Sequence, residues 1–325
     1  MDALFYPTLS LPGSAWTNPN LLFFDEIGVI APDADPRELF DGPTRMLIDF
    51  GLVRPVEPRR FGLDDEADGH VLSHLLGMAQ GPQKRNEVAR IHLGKLAYGR
   101  LSSELCDLKL LWPSYRSDWL EGPAWVVEYV MSVFATRMAL HPQLNASLLT
   151  NQRAAERLVA GVAMGEQTRW SRRMRAVMRL LPIGPGAEIA EIVRFKETHA
   201  RELRSFRSLI ESLIRRSPDG EAGEFDFAAR LRQAEMLRDH LVGEVSAIRT
   251  TAPPLPIALS IAGMVAPLVE ASYASAGAAL AGIGYLLHTR GSARTRERTA
   301  YDDKLVYAAL AANSFAPRRS DDILA

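Results

Sequence analysis

The chain has 325 residues, 47% hydrophobic and 24% charged, with 38 Lys and Arg against 39 Asp and Glu and a net charge of -1. This balance excludes a collagen-like, wholly disordered or small disulfide-stapled protein, and excludes attraction to nucleic acid or anionic lipid through overall charge. Cys106 is the single cysteine, and the opening Met-Asp-Ala-Leu-Phe-Tyr-Pro lacks a basic n-region. With no internal disulfide or Cys-based zinc site available, the expected location is the cytoplasm.

The first 60 residues predict a small mixed α/β unit. Residues 3–11 are short, apolar and bounded by Pro, residues 21–24 form an apolar run, and residues 27–31 read as a strand ending at Pro32. These lengths fit a strand, a helix and a second strand. Leu39, Phe40, Met46, Leu47 and Phe50 recur at helical spacing behind Pro36, predicting a helix over 37–50, and residues 53–56 predict a further strand. The acidic, Gly-containing stretch 61–69 reads as a loop.

Beyond Gly81 the pattern predicts helix. Val88, Ile91, Leu96, Leu101, Leu105, Leu108 and Leu111 lie on one broad stripe over 84–111, which Trp112-Pro113 ends. Residues 125–140 form a second helix stopping at His141-Pro142, and residues 151–179 a third helical region. The run Leu181-Pro182-Ile183-Gly184-Pro185-Gly186 is the expected domain boundary.

After that break, Ile189, Ile192, Lys196, His199, Leu203, Phe206, Ile210 and Leu213 alternate three and four apart, a heptad seam that predicts one long coiled-coil-like helix. Ser217-Pro218-Asp219-Gly220 turns the chain, and Phe227, Leu231, Leu241, Val245 and Ile248 stripe a returning helix. The expected fold is therefore mainly α. A small N-terminal α/β unit (1–60) packs on a helical body (61–184), and residues 185–325 supply a long antiparallel helical hairpin, an apolar segment and a C-terminal helix.

Residues 255–287 carry one charge, Glu270, in 33 positions. Pro267 and Glu270 divide them into a first piece too short to span a bilayer and a second at the lower limit. In the second, Ala274, Ala278 and Gly282 recur every fourth residue, a small-residue stripe that allows close backbone approach in lipid or in a tightly packed helix pair. Arg238 and Arg249 precede the segment and Arg290, Arg294, Arg296 and Arg298 follow it, so a hairpin with both ends cytoplasmic satisfies the positive-inside tendency. Membrane association, peripheral or inserted at the inner membrane, or self-association is the expected partner chemistry. A soluble hairpin buried in its own core is the competing reading.

No Gly-rich loop ending in Gly-Lys-Ser/Thr, no Gly-x-Ser-x-Gly elbow and no His-Glu-x-x-His occurs, so nucleotide hydrolysis, esterase and zincin chemistry lack their usual support and no cofactor is implied. His70 and His74 lie one helical turn apart, downstream of Asp64, Asp65, Glu66 and Asp68. His70, His74 and Asp68 form a candidate metal set, against a solvated loop and helix cap. His199 places a titratable ring in the heptad seam. Arg169, Arg172, Arg173 and Arg175 flank Trp170 as a candidate basic patch for phosphate and a stacked base, against a plain basic outer face; nucleic acid is the disfavoured partner. Together these predict a helical interaction or effector protein rather than a conventional enzyme. The alternative is a metal-dependent or nucleic-acid-acting enzyme built on the His70 and His74 region.

The chain also resembles an uncharacterised bacterial protein family. The resemblance is carried by Ala3-Leu4-Phe5-Tyr6-Pro7, Trp16, Leu21-Leu22-Phe23-Phe24-Asp25 and Ile30-Ala31-Pro32, similar to that family's Tyr-Tyr-Pro-like strand, Trp and apolar run. It continues through Leu140-His141-Pro142 with Thr150-Asn151, through Phe195-Lys196, His199, Glu202-Leu203 and Phe206-Arg207, and through a closing helix from Tyr307 to Phe315. It implies a bacterial host and an accessory-genome setting, and transfers no catalytic residue.

Overall fold

The computed structural model describes residues 1–32, 39–61, 65–79, 87–96, 100–152, 164–251 and 293–315. Among them α-helix accounts for 63%, with small parallel and antiparallel sheets, so the fold is mainly α with a mixed α/β part. The chain divides into two compact units, Met1–Arg175 and Ala176–Ala325.

The first unit is built on a parallel sheet of β1 (Ala3–Phe5), β2 (Ile27–Ile30), β3 (Val53–Val56) and β7 (Ser147–Leu149), in the order β3-β2-β1-β7. In register, Ala3 faces Ile27 on one side and Ser147 on the other. A parallel sheet is covered on both faces, and β1, β2 and β7 are accordingly buried at every position. On one face α1 (Ser14–Phe23) links β1 to β2, with Trp16 against Phe5 at a ring separation of 5.3 Å. α2 (Gly42–Asp49), between β2 and β3, starts where the Asp41 carboxylate accepts the Thr44 N–H at 2.8 Å. On the other face lies α5 (Ala124–Leu140), apolar almost all round as a buried helix must be. Its Val126, Val130 and Phe134 join Leu4 and Tyr6 in one core cluster. Gly28 lets β2 seat in this sheet: a Cβ there would stand 2.7 Å from Val56 Cγ2.

The sheet is not confined to the first 60 residues, because β7 closes its fourth position. The predicted helix over 84–111 is also wrong. That stretch holds β4 (Val88–His92), a 3₁₀ turn (Leu93–Leu96) and α4 (Arg100–Asp107), and Lys109 follows at a left-handed φ of 59°. The stripe misleads because a strand end, a turn and a two-turn helix bury Ile91, Leu96, Leu101 and Leu105 in succession. β4 pairs antiparallel with β6 (Trp119–Pro123), which also pairs with β5 (Trp112–Pro113). The predicted loop over 61–69 holds the start of α3 (Asp65–Ala79) instead.

The division between the units falls inside α6 (Met164–Leu180). In the second unit the predicted single heptad helix is two: α7 (Ile189–Thr198) and α8 (Ala200–Arg215), broken at His199 with φ -111° and ψ 33°. Of the seam positions Ile192, His199, Leu203, Phe206, Ile210 and Leu213 are buried and Ile189 and Lys196 half-buried, while Phe195, off the seam, is buried as well. α8 turns through Gly220, at φ 92°, into α9 (Glu221–Thr251), and both pack chiefly on α10 (Ala293–Ser314) rather than on each other. Tyr307 of α10 is fully buried, 5.3 Å from the Phe195 ring and 5.8 Å from Phe206.

Candidate functional site

Strand β1 is the centre of a topological reversal. From it the chain steps outward on one side through β2 and β3, and β7 returns to its other side. In open α/β sheets the crevice outside the carboxyl ends of the strands at such a reversal is the usual ligand site. Here the reversal lies between β1 and β7, and Tyr6 N–H, just past β1, donates to Leu149 O at 3.2 Å.

A pocket of about 70 Å³ opens at this edge. Its walls are Tyr6 after β1, Leu148 and Thr150 at the end of β7, and Gln167, Trp170, Ser171 and Met174 of α6. The polar groups are already organised: Gln167 Nε2 donates to Ser171 Oγ at 2.8 Å, and Thr150 Oγ1 accepts the Gln152 N–H at 3.1 Å. Arg173 donates to Ser147 Oγ at 2.6 Å, tying α6 to β7. The volume suits a group of a few heavy atoms. A larger depression of about 500 Å³ lies between α3 and α4, but its Arg100 and Glu104 are paired to each other at 2.6 Å across one helical turn. Size alone does not decide between them. The smaller pocket has the buried aromatic wall and convergent hydroxyl and amide groups that ligand sites use.

Lys95 enters the same edge from the 3₁₀ turn after β4. Its side chain is buried, and Nζ donates to the carbonyl of Pro7, two residues beyond β1, at 2.9 Å. Burial without a counter-charge pushes its pKa from 10.5 down to about 8. His92, at the end of β4, is its electrostatic neighbour. The ring is buried edge-on against Trp119 at 5.2 Å, and Nδ1 accepts the Gly94 N–H at 3.0 Å, which leaves Nε2 to carry the proton of the neutral ring. Burial lowers its pKa first, Asp118 opposes that shift, and the Lys95 charge adds to it.

The residues expected from sequence are placed differently. His70 and His74 lie on the exposed side of α3, and His74 stacks on Tyr129 at 4.9 Å with the rings 15° apart. No group of three or more His, Cys, Asp or Glu that could hold a metal occurs among the described residues; the side chain of Asp68 lies outside them. The four arginines do not share one face. Arg169 is exposed and paired to Glu166 at 2.8 Å, Arg175 is exposed, Arg173 is half-buried on Ser147, and Arg172 is only 1% exposed. Trp170 is buried in the core cluster and walls the pocket. His199 sits at the α7–α8 break, 4.5 Å from Phe195, with its pKa lowered by burial against the opposing effect of Glu202. Glu270, Ala274, Ala278 and Gly282 lie outside the described residues. Among the described residues no helix is long and apolar enough to cross a membrane.

Sequence reasoning missed Lys95 and the β1–β7 edge. The available signal was a lysine inside the apolar run Ile91-His92-Leu93-Gly94-Lys95-Leu96, in a chain that contains only five lysines. No family model, curated protein or solved structure matches this chain.

Proposed function

We propose that the Met1–Arg175 unit binds a small molecule at the carboxyl edge of its parallel sheet, in the crevice between β1 and β7. The observation that carries this reading is the coincidence of the strand-order reversal with a pocket walled by Tyr6, Trp170, Thr150 and Ser171. The indole and phenol rings supply an apolar wall, and the Ser171, Thr150 and Gln167 groups supply orientation. The test is a thermal-shift titration of the full chain with small carboxylates, alcohols and aldehydes. A binder raises the midpoint, and Ser171→Leu, which fills the pocket, removes the rise. An equal rise in the filled variant, or none with any compound, defeats the reading.

A second reading concerns residues 255–287, supported by one charge in 33 positions and by arginines on both flanks. In it the chain is an interaction protein that docks at a membrane through a hairpin of this segment, as an extension of the helical pair α8 and α9. Because α10 packs on α8 and α9, truncating the chain after Thr251 would strip the second unit of core. Paired Ala278→Arg and Gly282→Arg substitutions are the cleaner probe. Pelleting with membranes that resists high salt and is lost in the double variant supports insertion; intact chain that stays in the supernatant without detergent defeats it.

A further inference from the structure

We propose that the crevice between β1 and β7 selects an uncharged ligand of about three or four heavy atoms that both donates and accepts hydrogen bonds, of the small amide or alcohol class, and rejects carboxylates and phosphates. The inference rests on reading that crevice as the ligand site and names the chemistry of what enters it. Three observations carry it. The first is the face that α6 turns toward the sheet. Gln167, Trp170, Ser171 and Met174 wall the pocket at positions i, i+3, i+4 and i+7, one stripe of the helix. Arg169, Arg172, Arg173 and Arg175 fill the positions between, and none of them is among the described wall residues. A helix with four arginines over residues 169–175 therefore gives this crevice a neutral face. An anion site would turn one of those guanidiniums inward. Arg173 is committed elsewhere: it donates to Ser147 Oγ at 2.6 Å, at the opposite end of β7 from Thr150.

The second observation is hydrogen-bonding capacity left over at the wall. Gln167 Nε2 gives one proton to Ser171 Oγ at 2.8 Å, and Thr150 Oγ1 accepts the Gln152 N–H at 3.1 Å. Among the described residues this leaves the second N–H and Oε1 of Gln167 and the hydroxyl proton of Thr150 for a ligand. An amide or alcohol meets such a mixture of donors and an acceptor. A carboxylate has no proton to give Gln167 Oε1. The third observation is the remainder of the wall. Tyr6, Leu148, Trp170 and Met174 are the other residues, Tyr6 and Trp170 are buried, and no described wall residue is charged. An ionised group entering there gives up its hydration without meeting a counter-charge, a cost that a neutral isostere of the same shape does not bear. An apolar cavity of about 150 Å³ holds a benzene ring, so a pocket of about 70 Å³ takes roughly half as many heavy atoms.

The experiment places the full chain with equal amounts of acetamide and acetate in one tube at neutral pH and reads saturation transfer from the protein to each methyl signal by NMR. The two molecules match in size and shape and differ in charge and in the N–H donors. Acetamide is expected to receive at least about tenfold more saturation than acetate. Ser171→Leu should remove the acetamide signal, and Gln167→Met should lower it about fivefold, the loss of one hydrogen bond, with circular dichroism unchanged. Acetate saturated as strongly as acetamide, with both signals lost in Ser171→Leu, overturns the neutral selection and leaves the pocket reading standing. An acetamide signal undiminished in Gln167→Met overturns it as well. No transfer to acetamide in a chain whose thermal midpoint a carboxylate still raises refutes this inference alone; an acetamide signal that survives in Ser171→Leu defeats the pocket reading and this inference with it.

Discussion

Replacing Lys95 by Met should stabilise the first unit at neutral pH and do so by an amount that depends on pH. Burial lowers the Lys95 pKa from 10.5 to about 8, and at about 1.4 kcal/mol per tenfold change in proton affinity this is about 3 kcal/mol held against folding. Below pH 8 both folded and unfolded chains carry the proton and the full cost is present. Between pH 8 and 10.5 the folded chain sheds its proton first, the unfolded chain binds more protons, and stability rises with pH until the cost is gone. Met has similar length and no charge, but it leaves the Pro7 carbonyl without the bond seen at 2.9 Å, a loss of about 1 kcal/mol. The net expectation is a gain of about 2 kcal/mol near neutral pH, falling to about zero or slightly below near pH 10. Urea unfolding followed by tryptophan fluorescence isolates the right unit, because Trp16, Trp112, Trp119, Trp125 and Trp170 all lie within Met1–Arg175. A difference between variant and parent that stays flat with pH, or a Met variant that is less stable at neutral pH, would refute the reasoning.

Gly122→Ala should destabilise the antiparallel sheet by about 2 kcal/mol or more in the same assay, because the new Cβ would stand 2.6 Å from Leu110 O, a backbone atom that cannot swing aside. Trp170→Ala should cost about 3–5 kcal/mol, the range for a large aromatic removed from a core, since Trp170 is 6% exposed and belongs to the main core cluster; its urea midpoint checks this. His199 is buried with a depressed pKa, so the unfolded chain takes up a proton more readily. Stability of the second unit should therefore fall as pH drops below about 6.5, and His199→Gln should flatten that fall when helix content is followed by circular dichroism.

The parts of this fold legible in sequence are those where one local pattern meets one environment. β2 is a short apolar run that ends before Pro32, β3 places Val53 and Val56 at its buried ends, and the helix over 125–140 ends at His141-Pro142 where proline forbids continuation. The misreadings have specific causes. The seam from Ile189 to Leu213 keeps its spacing across His199, and no Gly or Pro marks the break. β7 is three residues long, too short for any periodicity to register. β6 reads Trp-Leu-Glu-Gly-Pro, a composition that argues against a strand, yet it pairs with β4 and β5, and Gly122 is the residue that fits where Leu110 and Leu111 come close. Lys95 falls within the stretch predicted as one helix and is not part of its apolar stripe; its burial goes with a contact to Pro7, 88 positions away. Spacing puts His70 and His74 on one side of α3, where the His74 ring stacks on Tyr129; the side chain of Asp68, the third member of the candidate metal set, lies outside the described residues.

The pairing of β1 with β7 has a consequence for biosynthesis. The strand at residues 3–5 has neighbours on both sides in the finished sheet, yet one of them, at residues 147–149, is translated long after the other. On the ribosome, β1, β2 and β3 can associate early while the β7 side of β1 presents unpaired N–H and C=O groups to whatever strand is near. Closing that side requires a contact across most of the unit, the type of long-range step that slows folding. The interval between the two events is therefore when the nascent chain is most exposed to wrong pairing, and a ribosome pause engineered after residue 123 should raise aggregation of the released chain more than one engineered after residue 152.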